Sequence, residues 1–284
     1  MITIDHLTKT YGPTTVVDDM SLTVPDGAAW AFWGPNGAGK TTVIRCILGL
    51  VAYDGAITVE GMDARSRGKA VRSIIGYVPQ ELAFYDDMAV VDLLDYSAAL
   101  RGLGPDRVEQ VAGAVDLDGH KDKKVSELSG GLKQRLGIAS ALIPDPPILL
   151  LDEPTSNLDA HARDSVIELL ISLRNEGRTL LITSHHADEV GMLVDSVVAM
   201  DQGRITTICR PEDLSEEVGL KAWMQLILAN GSADHALEVL DRSGFVARRN
   251  TGGILVEVAA QRKAAALDAL HVAGIRIDDL EVWR

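Results

Sequence analysis

Residues 34–42 read GPNGAGKTT, and they lie between the apolar run AAWAFW and the helix-like run TVIRCILGL. This segment constrains the fold more than any other in the chain. It fits G-x-x-x-x-G-K-[ST] with Gly34, Gly39, Lys40 and Thr41. Glycine lets the backbone curl until successive N–H groups point at phosphate oxygens. The helix that follows adds the positive end of its dipole. The backbone of Pro35, Asn36, Gly37, Ala38 and Thr42 completes the cradle. Lys40 is placed to reach the β- and γ-phosphates, and the Thr41 hydroxyl to ligate magnesium. The expected ligand is therefore a nucleoside triphosphate with Mg2+, and the expected fold is α/β.

A phosphate loop of this kind needs a second strand ending in a carboxylate near the metal. Residues 147–153, PILLLDE, supply one. Asp152 is the candidate magnesium ligand. Glu153, next to it, is the candidate for polarising attacking water. Residues 179–185, TLLITSH, form a second run without a polar break, as expected of a strand buried on both faces. Between these runs, Val166, Leu169, Leu170 and Leu173 fall on one helical face, and Gly177 marks a stop. Strands alternating with helices of this length predict a parallel sheet.

Two regions depart from that rhythm. Residues 81–147 read as helices without a strand, an insertion in the α/β core. Beyond residue 210 comes a linker, 211–219, and then a small unit, 220–284. KAWMQLILA reads as a strand and SADHALEVLDRSG as a helix with Ser232 at its N-cap. FVARR and ILVEVA flank the hairpin signal NTGG. AQRKAAALDALHVAG reads as a second helix and IRIDDLEVW as a last strand. The order βαββαβ predicts a ferredoxin-like domain.

Composition excludes several classes. A net charge of -14 argues against a nucleic-acid surface. The N-terminus has no signal-peptide pattern, and no apolar run approaches the ~20 residues of a membrane span. A cytoplasmic chain is expected, reaching a membrane only through a partner. Cys46 and Cys209 suggest neither a disulfide framework nor a metal site. The 46% hydrophobic content suffices for a sizeable core.

One further motif needs an explanation. SELSGGLKQR, residues 126–135, opens a helix with a Ser-Gly-Gly turn, the shape of another phosphate site. It belongs to the helical insertion, so a second copy of the chain is the natural source of its contact. In a head-to-tail homodimer each nucleotide would lie between one chain's phosphate loop and the Ser129, Gly130 and Gly131 of the other.

The phosphate loop, LSGG, LLLDEP, SNLD and TSH, in this order, resemble the nucleotide-binding subunit of an ABC transporter over about residues 1–210. The resemblance implies an ABC ATPase core that binds and hydrolyses ATP and works with a separate transmembrane permease. It implies roles for four more residues. Tyr11 matches the aromatic residue that stacks on adenine. Gln80 matches the glutamine that touches magnesium and attacking water and senses the membrane subunit. Asp159 matches the loop linking the two sites. His185 matches the switch histidine at the γ-phosphate, with His186 as the alternative. Phe84 and Tyr85 are packing residues or membrane-subunit contacts.

Many such subunits carry Gln after LSGG, whereas Leu132 stands here, and Leu132 followed by Lys133, Gln134 and Arg135 resembles the ABC-2-type exporters. The short insertion and the small C-terminal domain resemble that subgroup too, although its chains usually run somewhat further than Arg284. The implied location is peripheral, at the inner face of the cell membrane. Two other readings stand beside this one. A soluble ABC protein acting on ribosomes or DNA usually has two cassettes or a long coiled-coil insertion, and neither is present. The C-terminal domain could also bind a small ligand and gate the ATPase.

Overall fold

The computed structural model describes residues 1–219, 221–228, 232–259 and 262–283. The chain divides into two compact units, Met1–Pro211 and Glu212–Arg284.

The first unit opens with two long antiparallel strands, β1 (Ile2–Tyr11) and β2 (Thr14–Val24). Strand β3 (Ala29–Trp33) runs through the phosphate loop into α1 (Lys40–Ile47). Strands β4 (Asp54–Val59) and β5 (Met62–Asp63) return to β1, and the sheet order is β2-β1-β4-β5. Helix α2 (Gly68–Ser73) and β6 (Ile75–Val78) follow. Helices α3 (Val90–Ala99), α4 (Pro105–Ala114) and α5 (Gly130–Leu142) come next, and the chain then re-enters the core as β7 (Ile148–Asp152). It continues through α6 (Ala160–Asn175), β8 (Thr179–Ser184), α7 (Ala187–Leu193), β9 (Ser196–Asp201) and β10 (Arg204–Cys209). The central sheet has the order β10-β9-β3-β8-β7-β6, parallel throughout except for the β9–β10 hairpin.

The central strands are short and apolar because both of their faces are covered. Every residue of β7 and β8 is buried. The apolar face of α1 packs into a single core with residues of both sheets. Val43, Ile44 and Ile47 meet Ile4, Leu7, Ile57 and Val59 of one sheet and Ile148, Leu150, Leu181 and Val198 of the other. The helix that starts at the phosphate loop is therefore held from two sides. The four-stranded antiparallel sheet is absent from the reading of the sequence. Its register shifts within β1, between Ile4 and Leu7 and again by Lys9, so the period-2 pattern breaks just where it would be read.

In the second unit a one-turn helix, α8 (Leu214–Glu217), lies within the stretch expected as a linker. Strands β11 (Lys221–Leu228), β12 (Val246–Asn250), β13 (Gly253–Ala259) and β14 (Ile277–Trp283) form an antiparallel sheet of order β12-β13-β11-β14. Helices α9 (Ala233–Arg242) and α10 (Lys263–Val272) occupy the two crossovers. Asn250 pairs with Gly253, so the NTGG turn has two residues between the paired positions. The unit has its own core, with Met224, Leu226, Leu240, Ile254, Val256 and Leu270 at its centre. Ser232 stands at the N-cap of α9 but makes no capping bond through its side chain. Its φ of -92° and ψ of 1° are not the extended values from which a cap hydroxyl reaches the N3 amide. Ala229, and Ala260 and Gln261 of the second helix as read, lie outside the described residues.

Among the described residues no helix is long and apolar enough to cross a membrane. Burial pushes the Cys46 thiol up to about 11, so it behaves as a small apolar core residue.

Candidate functional site

The phosphate loop bends where glycine alone fits. At Gly39 φ is +100°, and a Cβ there would sit 2.6 Å from the Val16 carbonyl oxygen. At Gly34 a Cβ would sit 2.2 Å from the Met200 carbonyl oxygen. The loop is thus pressed between β2 and β9, and any side chain at either position would displace it. The first amides of α1 have no side-chain cap and open with the loop onto a cavity of about 250 Å³. Its lining is Val16, Asn36, Gly37, Ala38, Gly39, Lys40, Thr41, Thr42, Gln80 and Glu153.

Glu153 is the centre of the site. Its carboxylate is 8% exposed. One oxygen lies 3.6 Å from Lys40 Nζ and 3.4 Å from His185 Nδ1, and the other accepts from Gln80 Nε2 at 3.2 Å. Residues 40, 80, 153 and 185 are thereby gathered around one carboxylate. Its φ is +48°, a left-handed conformation that costs a non-glycine residue about 1–3 kcal/mol. Thr183 holds that turn, since the Glu153 amide donates to Thr183 Oγ1 at 2.8 Å. The bend turns the carboxylate out of the strand and into the cavity.

Asp152 is buried one residue earlier. Its Oδ1 accepts from Thr41 Oγ1 at 3.0 Å and from Thr183 Oγ1 at 2.6 Å. A hydroxyl and a carboxylate side by side are hard oxygen donors that suit magnesium, which takes few protein ligands beside phosphate oxygens and water. Lys40 Nζ donates to Gly34 O at 2.6 Å and Pro35 O at 3.1 Å. Burial pushes the Lys40 ammonium below the usual lysine value, and the charge of Glu153 opposes that shift.

The remaining candidates lie outside this lining. Tyr11 ends β1, 44% exposed, with Lys9 Nζ 4.4 Å from its ring centroid. Ser129 caps α5 by accepting from the Leu132 amide at 3.4 Å. Gly130 and Gly131 open that helix against the start of α6, where a Cβ on Gly131 would sit 2.8 Å from Ala162 Cβ. Close packing within the chain thus requires glycine at 131 independently of any phosphate. Asp159 caps α6, accepting from the Ala162 amide at 2.9 Å. The His186 ring is tilted 40° against that of His185, with centroids 4.0 Å apart, and its amide donates to Ser184 Oγ at 3.0 Å.

Two contributors escaped the sequence reading. Thr183 carried a signal, a hydroxyl at the end of an otherwise apolar buried strand. Val16 carried none, because only the antiparallel sheet delivers it to the cavity.

A protein-family model described as "ABC transporter" matches residues 17–156. The chain is similar to Nod factor export ATP-binding protein I of Rhizobium etli, 38% identical over 84% of this chain and 76% of that protein. It is also similar to linearmycin resistance ATP-binding protein LnrL of Bacillus subtilis, 34% identical over 81% of this chain and 75% of that one. Among solved structures it resembles cbiO1 of Clostridium perfringens, part of the ABC transporter complex cbiONQ. The TM-score is 0.70 and the identity 27%, over 76% of this chain and 92% of that one.

Proposed function

The chain belongs to the ABC transporter ATP-binding family, and from that premise we propose that it is the ATPase subunit of an ABC-2-type export system, with a separate transmembrane partner. Membership makes it a transport-coupled ATPase. The observation that carries the site assignment is the convergence of Lys40, Gln80 and His185 on the Glu153 carboxylate.

In the proposed cycle the loop amides and Lys40 hold the β- and γ-phosphates of ATP. Thr41 and Asp152 hold magnesium, which, when bound, neutralises charge that builds up on the phosphate oxygens. Glu153 accepts a hydrogen bond from water and aligns it in line with the γ-phosphate, while Gln80 and His185 fix the carboxylate's orientation. Catalysis is then positioning and charge stabilisation. Ser129, Gly130 and Gly131 of a second copy close the other side of the γ-phosphate, and Asp159 links the two sites. Tyr11 stacks on adenine. MgATP closes this homodimer, and hydrolysis to ADP and phosphate reopens it.

The groove where the helical subdomain, residues 81–147, meets the α/β core offers a docking place for the membrane partner at the membrane's inner face. A cavity of about 270 Å³ is lined by Leu48, Leu50, Arg72, Tyr77, Arg101 and Pro144, among others. Leu50 is 57% exposed, and Leu100, beside Arg101, is 68% exposed. Apolar surface of this kind beside arginines supports an amphipathic partner segment. The full chain should retain a hydrophobic membrane protein when purified from membranes. Leu50→Asp should weaken that capture roughly 30-fold, the effect of losing an anchor worth about 2 kcal/mol. Its ATP affinity should stay unchanged. Capture that is absent from the native chain, or indifferent to Leu50→Asp, overturns this docking place.

The sheet order β12-β13-β11-β14 with two crossover helices supports reading residues 220–284 as a ferredoxin-like accessory domain. Leu228, Leu237, Leu267 and Ile277 pack on its own apolar centre, so it does not need the first unit to form a core. A chain ending at Pro211 should therefore fold and bind ATP within about threefold of the full chain. Basal turnover or stimulation by the partner should change instead. Insolubility, or loss of ATP binding, would show that the boundary is misplaced.

A further inference from the structure

Glu189 on α7 is 4% exposed and is not part of the lining of the nucleotide cavity. Its Oε2 accepts from Thr155 Oγ1 at 2.6 Å and from Ser184 Oγ at 3.3 Å. Thr155 follows Glu153 by two residues, and Ser184 immediately precedes His185. One oxygen thus staples the two loops whose neighbouring residues meet across the cavity. The other oxygen, Oε1, lies 3.2 Å from Arg163 Nε, yet neither buried atom has an aligned hydrogen-bond partner there. Arg163 sits in the first turn of α6. Its amide donates to the Asp159 carbonyl at 2.9 Å, and its guanidinium to the Leu158 carbonyl at 3.4 Å.

A buried carboxylate is a costly way to join two loops, since a well-packed apolar residue would hold them at equal or better stability. What the carboxylate adds is direction: two hydroxyls converge on one oxygen, and a guanidinium stands ready at the other. We infer that Glu189 is a positioning residue for ATP hydrolysis. It keeps Glu153 and His185 in register, and through Arg163 it passes to them any displacement of residues 158–163. Closing a second copy against Asp159 rotates the first turn of α6, aligns Arg163 Nε with Oε1, and tightens the staple. The inference rests on the proposed roles of Glu153, His185 and Asp159.

The test uses the full chain with four substitutions: Glu189→Gln, Thr155→Val, Thr155→Ser and Glu153→Gln. Thr155→Val keeps shape and removes the hydroxyl, whereas Thr155→Ser keeps the hydroxyl and removes a methyl. Glu189→Gln and Thr155→Val should lower kcat about 10–100-fold, as loss of a supporting partner does elsewhere. KM for ATP and ATP affinity should stay within about threefold. Thr155→Ser should keep the native kcat, an order that packing alone would reverse. If Glu189→Gln loses its thermal transition, the Thr155 pair, which changes little volume, carries the test. Native kcat in Thr155→Val, or equal losses of kcat and ATP affinity, overturns the inference. Glu153→Gln separates the two levels: if it hydrolyses ATP normally, the site assignment fails, and if it is dead while Thr155→Val turns over at the native rate, only the inference fails.

Discussion

Glu153→Gln should bind ATP with close to native affinity and hydrolyse it about 10²–10⁴-fold more slowly, the range for losing a positioned proton acceptor. The substitution keeps size and a hydrogen-bonding oxygen, so Gln80 retains an acceptor. It removes the negative charge that faces Lys40 and His185. The γ-phosphate of bound ATP restores a negative partner for Lys40, and binding is therefore spared. Water, by contrast, loses the group that orders it. Unhydrolysed ATP should then hold two chains together. Light scattering with and without MgATP should show a shift from monomer to dimer that persists in the variant and decays in the native chain. A variant that stays monomeric with ATP, or turns over at the native rate, refutes the assignment.

Ser129→Arg should abolish turnover while sparing ATP binding by the monomer. The nucleotide cavity is lined by Val16, the phosphate loop, Gln80 and Glu153, without Ser129. Its hydroxyl caps α5 through a 3.4 Å bond, so the local penalty belongs at the low end of the roughly 0.5–2 kcal/mol range for caps. A long cationic side chain facing another chain's Lys40 blocks closure by bulk and by like charge. Mixing this variant with Lys40→Ala yields hetero-dimers with one site intact and the other doubly defective. An equal mixture should recover about a quarter of the native rate, since half the dimers are mixed and each has one working site of two. Recovery of none indicates that the sites are not shared or must both work. Loss of ATP binding by Ser129→Arg alone removes the role in trans.

Much of this was legible in the sequence because the chemistry demands fixed local strings. A phosphate cradle needs consecutive amides, and residues 34–42 supply them without help from distant chain. Apolar runs such as 148–151 announce buried parallel strands by having no polar face. The apolar positions of the second unit show the period of helix and strand, and they do pack on one another.

The antiparallel sheet was not legible, because shifts in register inside β1 erase its alternation. Nor was the reason for glycine at 131, which is the approach of Ala162 from another helix. The orientation of Glu153 also depends on the fold. Its left-handed turn exists because Thr183, thirty residues away, captures its amide. The Thr41–Asp152 bond spans 111 residues, and the parallel pairing of β7, β8 and β3 closes that distance. Local chain chemistry therefore specifies which groups can act. The loops closed by the core of two sheets around α1 decide which of them meet, because contacts between distant residues are stable only once that core has formed.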